Sequence, residues 1–179
     1  MSFGSLSENA IVALNKGAQQ GKFYHNTGEG GLTEFHQQGG DICWQIGTGY
    51  FGCRDDRGGF DGGRFTEKAN LPEVKMIEIK LSQGAKPGHG GVLPAAKNTV
   101  QIAKIRGVLP HTTILSPPSH SAFENTKGLI DFIATLRKLS NGKPIGFKLC
   151  IGETREFEMI CQEMITQNCY PDFITVDGA

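Results

Sequence analysis

Residues 84–91 combine side chains that can bind an anion with an unusual density of glycine. Lys86 and His89 stand among four glycines and a proline, and Gln83 comes directly before them. In residues 76–83 apolar and charged positions alternate, which predicts a strand. A strand that ends in a glycine loop exposes backbone N–H groups, and a nearby cation favours an anionic ligand. The segment therefore predicts an anion-binding loop, with a solvated turn as the alternative.

Polar residues also follow or occupy three later strand-like segments. They are Ser116, Lys148 and the pair Asp177 and Gly178. In βα architectures ligand groups collect at the carboxyl ends of the strands, so these positions are candidates for a site. Lys148 lies within an apolar strand and must face a partner or a ligand. We expect it in the interior of a barrel; a lysine at an exposed face, or one paired with a core carboxylate, is the alternative.

Two further charged residues can be interpreted in two ways. Glu29 lies in a second glycine loop, and it is either an ordinary turn charge or a carboxylate placed at an active site. Arg106 ends a predicted helix, where by default a cation is favoured by the helix dipole. His111 and His120 are predicted to be loop histidines. No cysteine or histidine cluster has the spacing of metal ligands, so we predict no metal site.

Composition limits the class of protein. The 179 residues carry 18 basic and 18 acidic side chains, which argues against nucleic acid or a membrane as partner. The first residues show no basic leader ahead of a long apolar run, so we expect neither a signal peptide nor a membrane span. Five cysteines without a CxxC pair indicate reduced thiols, and we expect a cytoplasmic protein.

Hydrophobic periodicity predicts an α/β fold with a parallel sheet covered by helices. Residues 23–75 are rich in glycine and predicted to be mostly irregular, and Ser5 is predicted to cap the first helix. The first predicted helix ends at Gly21, and three later helices are predicted at 97–106, 126–140 and 154–168. The predicted strands span 42–50, 76–83, 114–116, 144–151 and 172–177.

Several motifs in a fixed order resemble the FMN-binding synthase domain of glutamate synthase. They are MSFGSLS, HNTGEGG, WQIGTGYFGCR, IEIKLSQGAKPGHGG, ILSPPSHSAF, GFKL and PDFITVDG. The resemblance covers essentially the whole chain and is strongest to the stand-alone bacterial members. It implies a (β/α)8 TIM barrel that binds FMN at the carboxyl ends of its strands. It also implies the family reaction, in which 2-oxoglutarate and ammonia form 2-iminoglutarate, which the flavin reduces to glutamate.

The resemblance implies a role for each matched residue. Glu29 matches a carboxylate linked to ammonia delivery, Arg106 matches an arginine near the keto acid, and Lys148 matches a lysine near the flavin ring. The expected catalytic residues are Glu29, Lys86 and Lys148; the expected cofactor-binding residues are Ser2, Gly4, Gln83, Lys148, Asp177 and Gly178; the expected substrate-binding residues are Gln83, Lys86 and Arg106.

Departures from the family pattern set the expected limits. Residues 1–179 are expected to be part of a single barrel domain, without its phosphate loop and C-terminal strands. Neither the cysteine cluster of an iron–sulfur centre nor a glutaminase nucleophile is present, so this chain does not support a cluster. An open half-barrel exposes strand edges, and we expect self-association or a missing partner.

Two other functions compete with the leading one. The first is a truncated, non-catalytic remnant that serves as a binding or assembly module. The second is an FMN oxidoreductase that acts on another imine or keto acid. The sequence leaves the electron donor and the ammonia source open.

Overall fold

A curved sheet of five parallel strands organises the chain in the computed structural model, which describes residues 1–178. The strands lie in the order β1-β2-β3-β6-β7 and form half of a barrel wall. This arrangement confirms the predicted α/β fold and fits a partial TIM barrel. The strands are β1 His25–Asn26, β2 Ile42–Ile46, β3 Val74–Lys80, β4 Val92–Leu93, β5 Ile114–Leu115, β6 Ile145–Leu149 and β7 Ile174–Val176. The helices are α1 Glu8–Gly21, α2 Gly62–Ala69, α3 Val100–Arg106, α4 Thr126–Leu139 and α5 Thr154–Gln167.

The first helix begins later than predicted. The Ser7 hydroxyl accepts a hydrogen bond from the Ala10 N–H at 3.4 Å, so Ser7 rather than Ser5 is the N-cap. The predicted cap at Ser5 is therefore wrong, because the chain turns into the helix two residues further on. The helix ends at Gly21 as predicted, and Lys22 takes the left-handed conformation that closes it.

The glycine-rich region 23–75 contains more regular structure than predicted. Besides β2 it holds the short strand β1 and the helix α2. The Asp61 carboxylate caps α2 by accepting a hydrogen bond from the Arg64 N–H at 2.9 Å. Phe65 then stacks on Trp44 of β2, with ring centroids 5.5 Å apart. This packing anchors α2 on the outer face of the sheet.

The predicted strand 114–116 forms, but in a different sheet. It is β5, and it pairs antiparallel with β4 in a two-stranded ribbon separate from the parallel sheet. The expectation that it joins the parallel sheet is wrong. Two prolines, Pro117 and Pro118, follow it and cannot donate to a parallel ladder. The ribbon and α3 thus form an excursion, residues 81–125, between β3 and α4.

The two faces of the parallel sheet differ in chemistry. The outer face, under the helices, is apolar, and the inner face, toward the barrel axis, carries polar and charged side chains at Glu78, Lys80, Lys148 and Thr175. In register, Lys80 lies beside Lys148, and Lys148 beside Thr175. The outer core includes Trp44, Phe65, Ile77, Ile79, Ile130, Ile133, Leu136, Ile145 and Phe147.

The far edge of the sheet is open. Within residues 1–178, β7 pairs only with β6, and Val176 is 57% exposed. On α5, Met159 and Ile165 are also exposed. The predicted exposed edge is thus present, while self-association stays a prediction. Within residues 1–178 no helix has the length and apolarity needed to cross a membrane.

Candidate functional site

Ligand-facing groups collect at the carboxyl end of the parallel sheet. Lys148, near the end of β6, forms an ion pair with Asp177, which follows β7; Nζ and Oδ2 are 2.9 Å apart. The hydrogen bond from Lys148 lowers the pKa of the Asp177 carboxyl below its usual value. The ammonium therefore lies on the inner face, as predicted, and has a carboxylate partner, as the alternative interpretation proposed.

Lys80 is a residue that the sequence analysis did not select. Its Nζ donates to Glu29 Oε1 at 2.7 Å and to Gln83 Oε1 at 2.6 Å. Its side chain is only 11% exposed. Lys80 therefore connects the glycine loop after β1 to the first turn of the excursion. The signal in the sequence was its position, at the carboxyl end of the same strand whose following loop was singled out.

The Glu29 carboxylate bonds Lys80 and also packs closely against Gly47. A Cβ added at Gly47 would lie 2.5 Å from Glu29 Oε2, which is closer than real Cβ contacts come. Glycine at this position is thus required for the carboxylate to occupy its place. A catalytic role for Glu29 stays a prediction.

The predicted substrate residues meet around one cavity of about 220 Å³, here called the inner cavity. The N-terminal segment, the loop after β1 and the excursion each contribute to its wall. Its lining includes Ser2, Ser5, Glu29, Phe51, Gln83, Lys86, Arg106 and Ser116. Ser116 reaches the wall through the antiparallel ribbon and not from the end of a parallel strand.

Arg106 is the most deeply buried cation of the inner cavity. Although it is the last residue of α3, its side chain turns inward and only 8% of the residue is exposed. The guanidinium lies 4.9 Å from the Phe51 ring centroid, and Nη2 donates to the Phe3 carbonyl at 3.3 Å. Burial lowers its pKa from the usual value, and Nε has no hydrogen-bond partner within residues 1–178. Arg106 is thus the last residue of its helix, as predicted, and its side chain also lines the inner cavity.

Gly4 packs behind this arginine instead of lining the inner cavity. Its φ of +98° suits glycine, and a Cβ there would lie 3.2 Å from Arg106 Nη2. Gly178, by contrast, is exposed after β7. Of the expected cofactor residues, Ser2 and Gln83 line the inner cavity, and Lys148 and Asp177 form their separate pair. The cofactor roles of all six stay predictions.

His120 lies in a loop, as predicted, but it is buried. Nε2 faces the Lys80 carbonyl at 2.9 Å and therefore donates, while Nδ1 accepts from the Tyr50 hydroxyl at 3.1 Å. Burial lowers the pKa of the imidazole. His120 thus ties the loop after β5 to the end of β3. His111 is an exposed loop residue.

On the inner face, one layer further from the carboxyl end than Lys80, neutral side chains donate hydrogen bonds to a buried carboxylate. The buried Glu78 carboxylate accepts from Asn26 at 2.9 Å, from Gln45 at 2.6 Å and from Thr175 at 2.6 Å. These donors come from β1, β2 and β7, so a single side chain joins the two sides of the half-barrel. Across residues 1–178 there is no group of three metal-ligating side chains.

Comparison with known proteins agrees with this arrangement. All of residues 1–179 match the family model described as a conserved region in glutamate synthase. The chain belongs to the glutamate synthase family.

Relatives in this family differ in length. The chain is 43% identical to the glutamate synthase large subunit-like protein YerD of Bacillus subtilis, over all of this chain and 34% of that protein. It is 32% identical to the archaeal-type glutamate synthase [NADPH] of Thermotoga neapolitana, over 99% of this chain and 32% of that protein. Against the glutamate synthase [NADPH] large chain of Azospirillum brasilense, identity is 30% over 83% of this chain and 9% of that protein. The chain thus spans about a third of the first two relatives.

Proposed function

We propose that the inner cavity binds 2-oxoglutarate, as the keto-acid end of a glutamate synthase-type oxidoreductase. The observation that carries this proposal is an imbalance of charge. Lys86 and Arg106 line the cavity, and neither forms a salt bridge within residues 1–178. The one carboxylate in the wall, Glu29, is already matched by Lys80. Two unmatched cations suit a ligand with two carboxylates.

The size of the cavity supports a small ligand. About 220 Å³ lies below the range of roughly 300–1,000 Å³ usual for larger cofactors and drug-sized ligands. A flavin nucleotide is larger than this cavity, so FMN would need other residues to hold it. We propose that Lys148 and Asp177, at the carboxyl ends of β6 and β7, would be among them.

The chemistry of Lys148 suits one edge of a flavin. Lys148 offers a partly exposed ammonium, and a cation there stabilises negative charge on a reduced flavin ring. Ser2, Gln83, Asp177 and Gly178 complete the proposed edge, and Gly4 would contribute indirectly by leaving room for Arg106. When bound and reduced, FMN supplies the hydride that turns the imine into an amine.

The remaining steps belong to this chain's own side chains. Arg106 and Lys86 hold the two carboxylates of the keto acid and fix the position of its carbonyl carbon. Ammonia attacks that carbon, and the carbonyl oxygen leaves as water. Glu29 accepts the proton released when ammonium delivers ammonia, and Lys80 keeps Glu29 oriented toward the cavity. We further propose that residues 1–179 are one part of a single FMN-binding barrel domain.

Calorimetric titration of the full chain with 2-oxoglutarate tests the proposal. We expect saturable binding that weakens at least tenfold in Arg106→Gln, because charge-assisted hydrogen bonds contribute about 1.5–3 kcal/mol. Arg155→Gln, an exposed arginine on α5, is the matched control and should bind like the parent. Circular dichroism confirms that each variant is folded. A folded parent that does not bind 2-oxoglutarate contradicts the proposal.

The number of carboxylates can be tested with a second ligand. Pyruvate shares the keto group but carries one carboxylate, so it should bind at least tenfold more weakly than 2-oxoglutarate. Equal binding would point to a different keto acid as substrate.

Flavin binding and the reaction are measured separately. Titration with FMN, followed by flavin absorbance, tests the proposed cofactor edge. Glutamate formed from 2-oxoglutarate, ammonium and a chemical reductant then tests the reaction itself. Keto-acid binding without flavin binding would favour the binding or assembly module over the enzyme.

A further inference from the structure

A second cationic cavity lies on the other side of Arg106, here called the outer cavity. Its volume is about 160 Å³. Five cations from three segments line it: Arg54 after β2, Arg64 and Lys68 on α2, and Lys104 and Arg106 on α3. No carboxylate belongs to its lining.

The charges around the outer cavity are not balanced locally. Arg64 pairs with Asp56 at 3.1 Å and with Asp61 at 3.8 Å. Within residues 1–178 the other four cations have no carboxylate within 4.0 Å. The chain as a whole has no net charge, so a general excess of basic residues does not explain the cluster. Cations that line one small cavity repel one another, and an anion bound between them relieves the repulsion.

The surroundings of Lys68 disfavour its charged form. Its side chain is half-buried, and desolvation is the main cause that lowers its pKa; Arg64 lowers it slightly further, while Cys53 and Glu67 oppose the shift without cancelling it. A Cβ added at Gly52 would lie 3.4 Å from Lys68 Nζ, so the ammonium lies against the glycine that also lines the cavity. A partly desolvated ammonium without a counter-ion is unfavourable, and a bound anion removes the penalty.

We infer that the outer cavity is a binding site for a small oxyanion of the phosphate class. Arg54, Lys68 and Lys104 have no carboxylate partner within residues 1–178 and line the cavity from three segments, which suits several oxygens on one centre better than a single planar carboxylate. The volume leaves room for one such group. This site is separate from the proposed keto-acid site and does not rest on that proposal, because Lys68, Lys104 and Arg54 do not line the inner cavity.

Titration of the full chain with inorganic phosphate, followed by calorimetry and ³¹P NMR, tests the inference. We expect saturable 1:1 binding that weakens at least fivefold in Lys68→Gln and at least threefold in Lys104→Ala. Lys138→Ala removes an exposed lysine on α4 and is the matched control, with unchanged affinity expected. Thermal unfolding of each variant verifies that the fold is retained.

A second series identifies the source of the oxyanion. AMP is titrated in place of inorganic phosphate; tighter binding of AMP would show that the phosphate belongs to a larger ligand, and equal binding would indicate free phosphate. Either result requires that Lys68→Gln weakens binding. The inference is overturned if the folded parent does not bind phosphate, or if Lys68→Gln and Lys138→Ala bind it equally well. Lys104→Ala should leave 2-oxoglutarate affinity unchanged, which separates the two cavities.

Discussion

Two charged residues of β3 lie two positions apart on the inner face of the sheet and have opposite surroundings. Glu78 is 2% exposed, and neutral donors from β1, β2 and β7 satisfy its carboxylate. Lys80, one step nearer the carboxyl end, pairs with Glu29 beside an open cavity. The same strand therefore contributes to two polar layers. The layer around Glu78, in which each partner belongs to this chain, is called the closed layer, and the layer around Lys80 and Glu29, which borders the inner cavity, is called the open layer.

The difference separates structure from chemistry along the barrel axis. Every partner of Glu78 is a neutral group of this chain, so the layer is complete without a ligand. At the carboxyl end, Lys86 and Arg106 still lack counter-ions within residues 1–178. We expect substitutions in the closed layer to change stability and those in the open layer to change binding and catalysis.

Glu78→Ala should have the largest effect, and on stability. It leaves the buried Gln45 and the partly buried Asn26 and Thr175 without this acceptor, and since a lost acceptor costs about 1–3 kcal/mol at a buried donor, the free energy of unfolding should fall by about 3 kcal/mol. Urea denaturation measures the change. Glu158→Ala, at an exposed position of α5, should stay within about 0.5 kcal/mol of the parent. Equal stability of the two variants would show that the polar layer is not what joins the strands.

Glu29→Gln should have the next largest effect, on catalysis. Without its general base, glutamate formation should slow by at least about a hundredfold. Affinity for 2-oxoglutarate should rise by up to about fivefold, because a negative charge beside the cavity is removed and Lys80 is released. Rate assays and calorimetry measure the two effects, with Glu124→Gln at an exposed loop position as control. Weaker keto-acid binding in Glu29→Gln would contradict the assigned charge balance.

Acidification should destabilise the fold through its buried histidines. Burial lowers the pKa of His25 to about 4, and it lowers the pKa values of His36 and His120. The unfolded chain therefore binds more protons than the folded one below pH 6.5, and stability should decrease as the pH falls. The slope is at most about 1.4 kcal/mol per pH unit for each histidine.

His120→Asn removes the contribution of the histidine beside the open layer to this pH dependence of stability. The variant should show a shallower loss of stability below pH 6.5 than the parent, measured by urea denaturation at several pH values. His111→Asn is the control, since His111 is exposed and its φ of 57° suits asparagine. Identical slopes in the parent and His120→Asn would contradict a pH-sensitive link between His120 and β3.

Lys148→Met should have the smallest effect on stability. Its ion pair with Asp177 is partly exposed, and such pairs contribute about 0–1 kcal/mol. Lys80→Met should destabilise more, because the Lys80 ammonium is nearly buried and bonds two partners. Thermal unfolding compares the two variants. The reverse order would mean that the end of β6, and not that of β3, carries the structural ion pair.

Strands with a regular pattern of apolar and charged residues were the part of the fold that the sequence predicted well. Ile77 and Ile79 lie on the apolar outer face, and Lys148 interrupts an apolar strand because it faces inward. Helix α2 was missed because its core side contains only Phe65 and Ala69 after two glycines. The strand at 114–116 was predicted correctly, but its pairing partner was not, since two residues carry no information on strand direction.

The candidate site was predictable residue by residue but not in its connections. Loop chemistry pointed to Glu29, Gln83 and Lys86, and the family resemblance added Arg106. Lys80 was missed because its role depends on an approach to Glu29 across 51 positions of sequence. The inward turn of Arg106 depends on Phe51 and Phe3, which are both far from the end of α3 in sequence.

Arg106 lines both the inner and the outer cavity, and one guanidinium thus forms a shared wall between two spaces that favour anions. Thermodynamic linkage makes the effect of such a wall reciprocal: an anion that weakens keto-acid binding by a given factor is itself weakened by the keto acid by that same factor. If both proposed anions bind, a single side chain would allow the concentration of one metabolite class to set the affinity for another, without any movement of the strands that hold it.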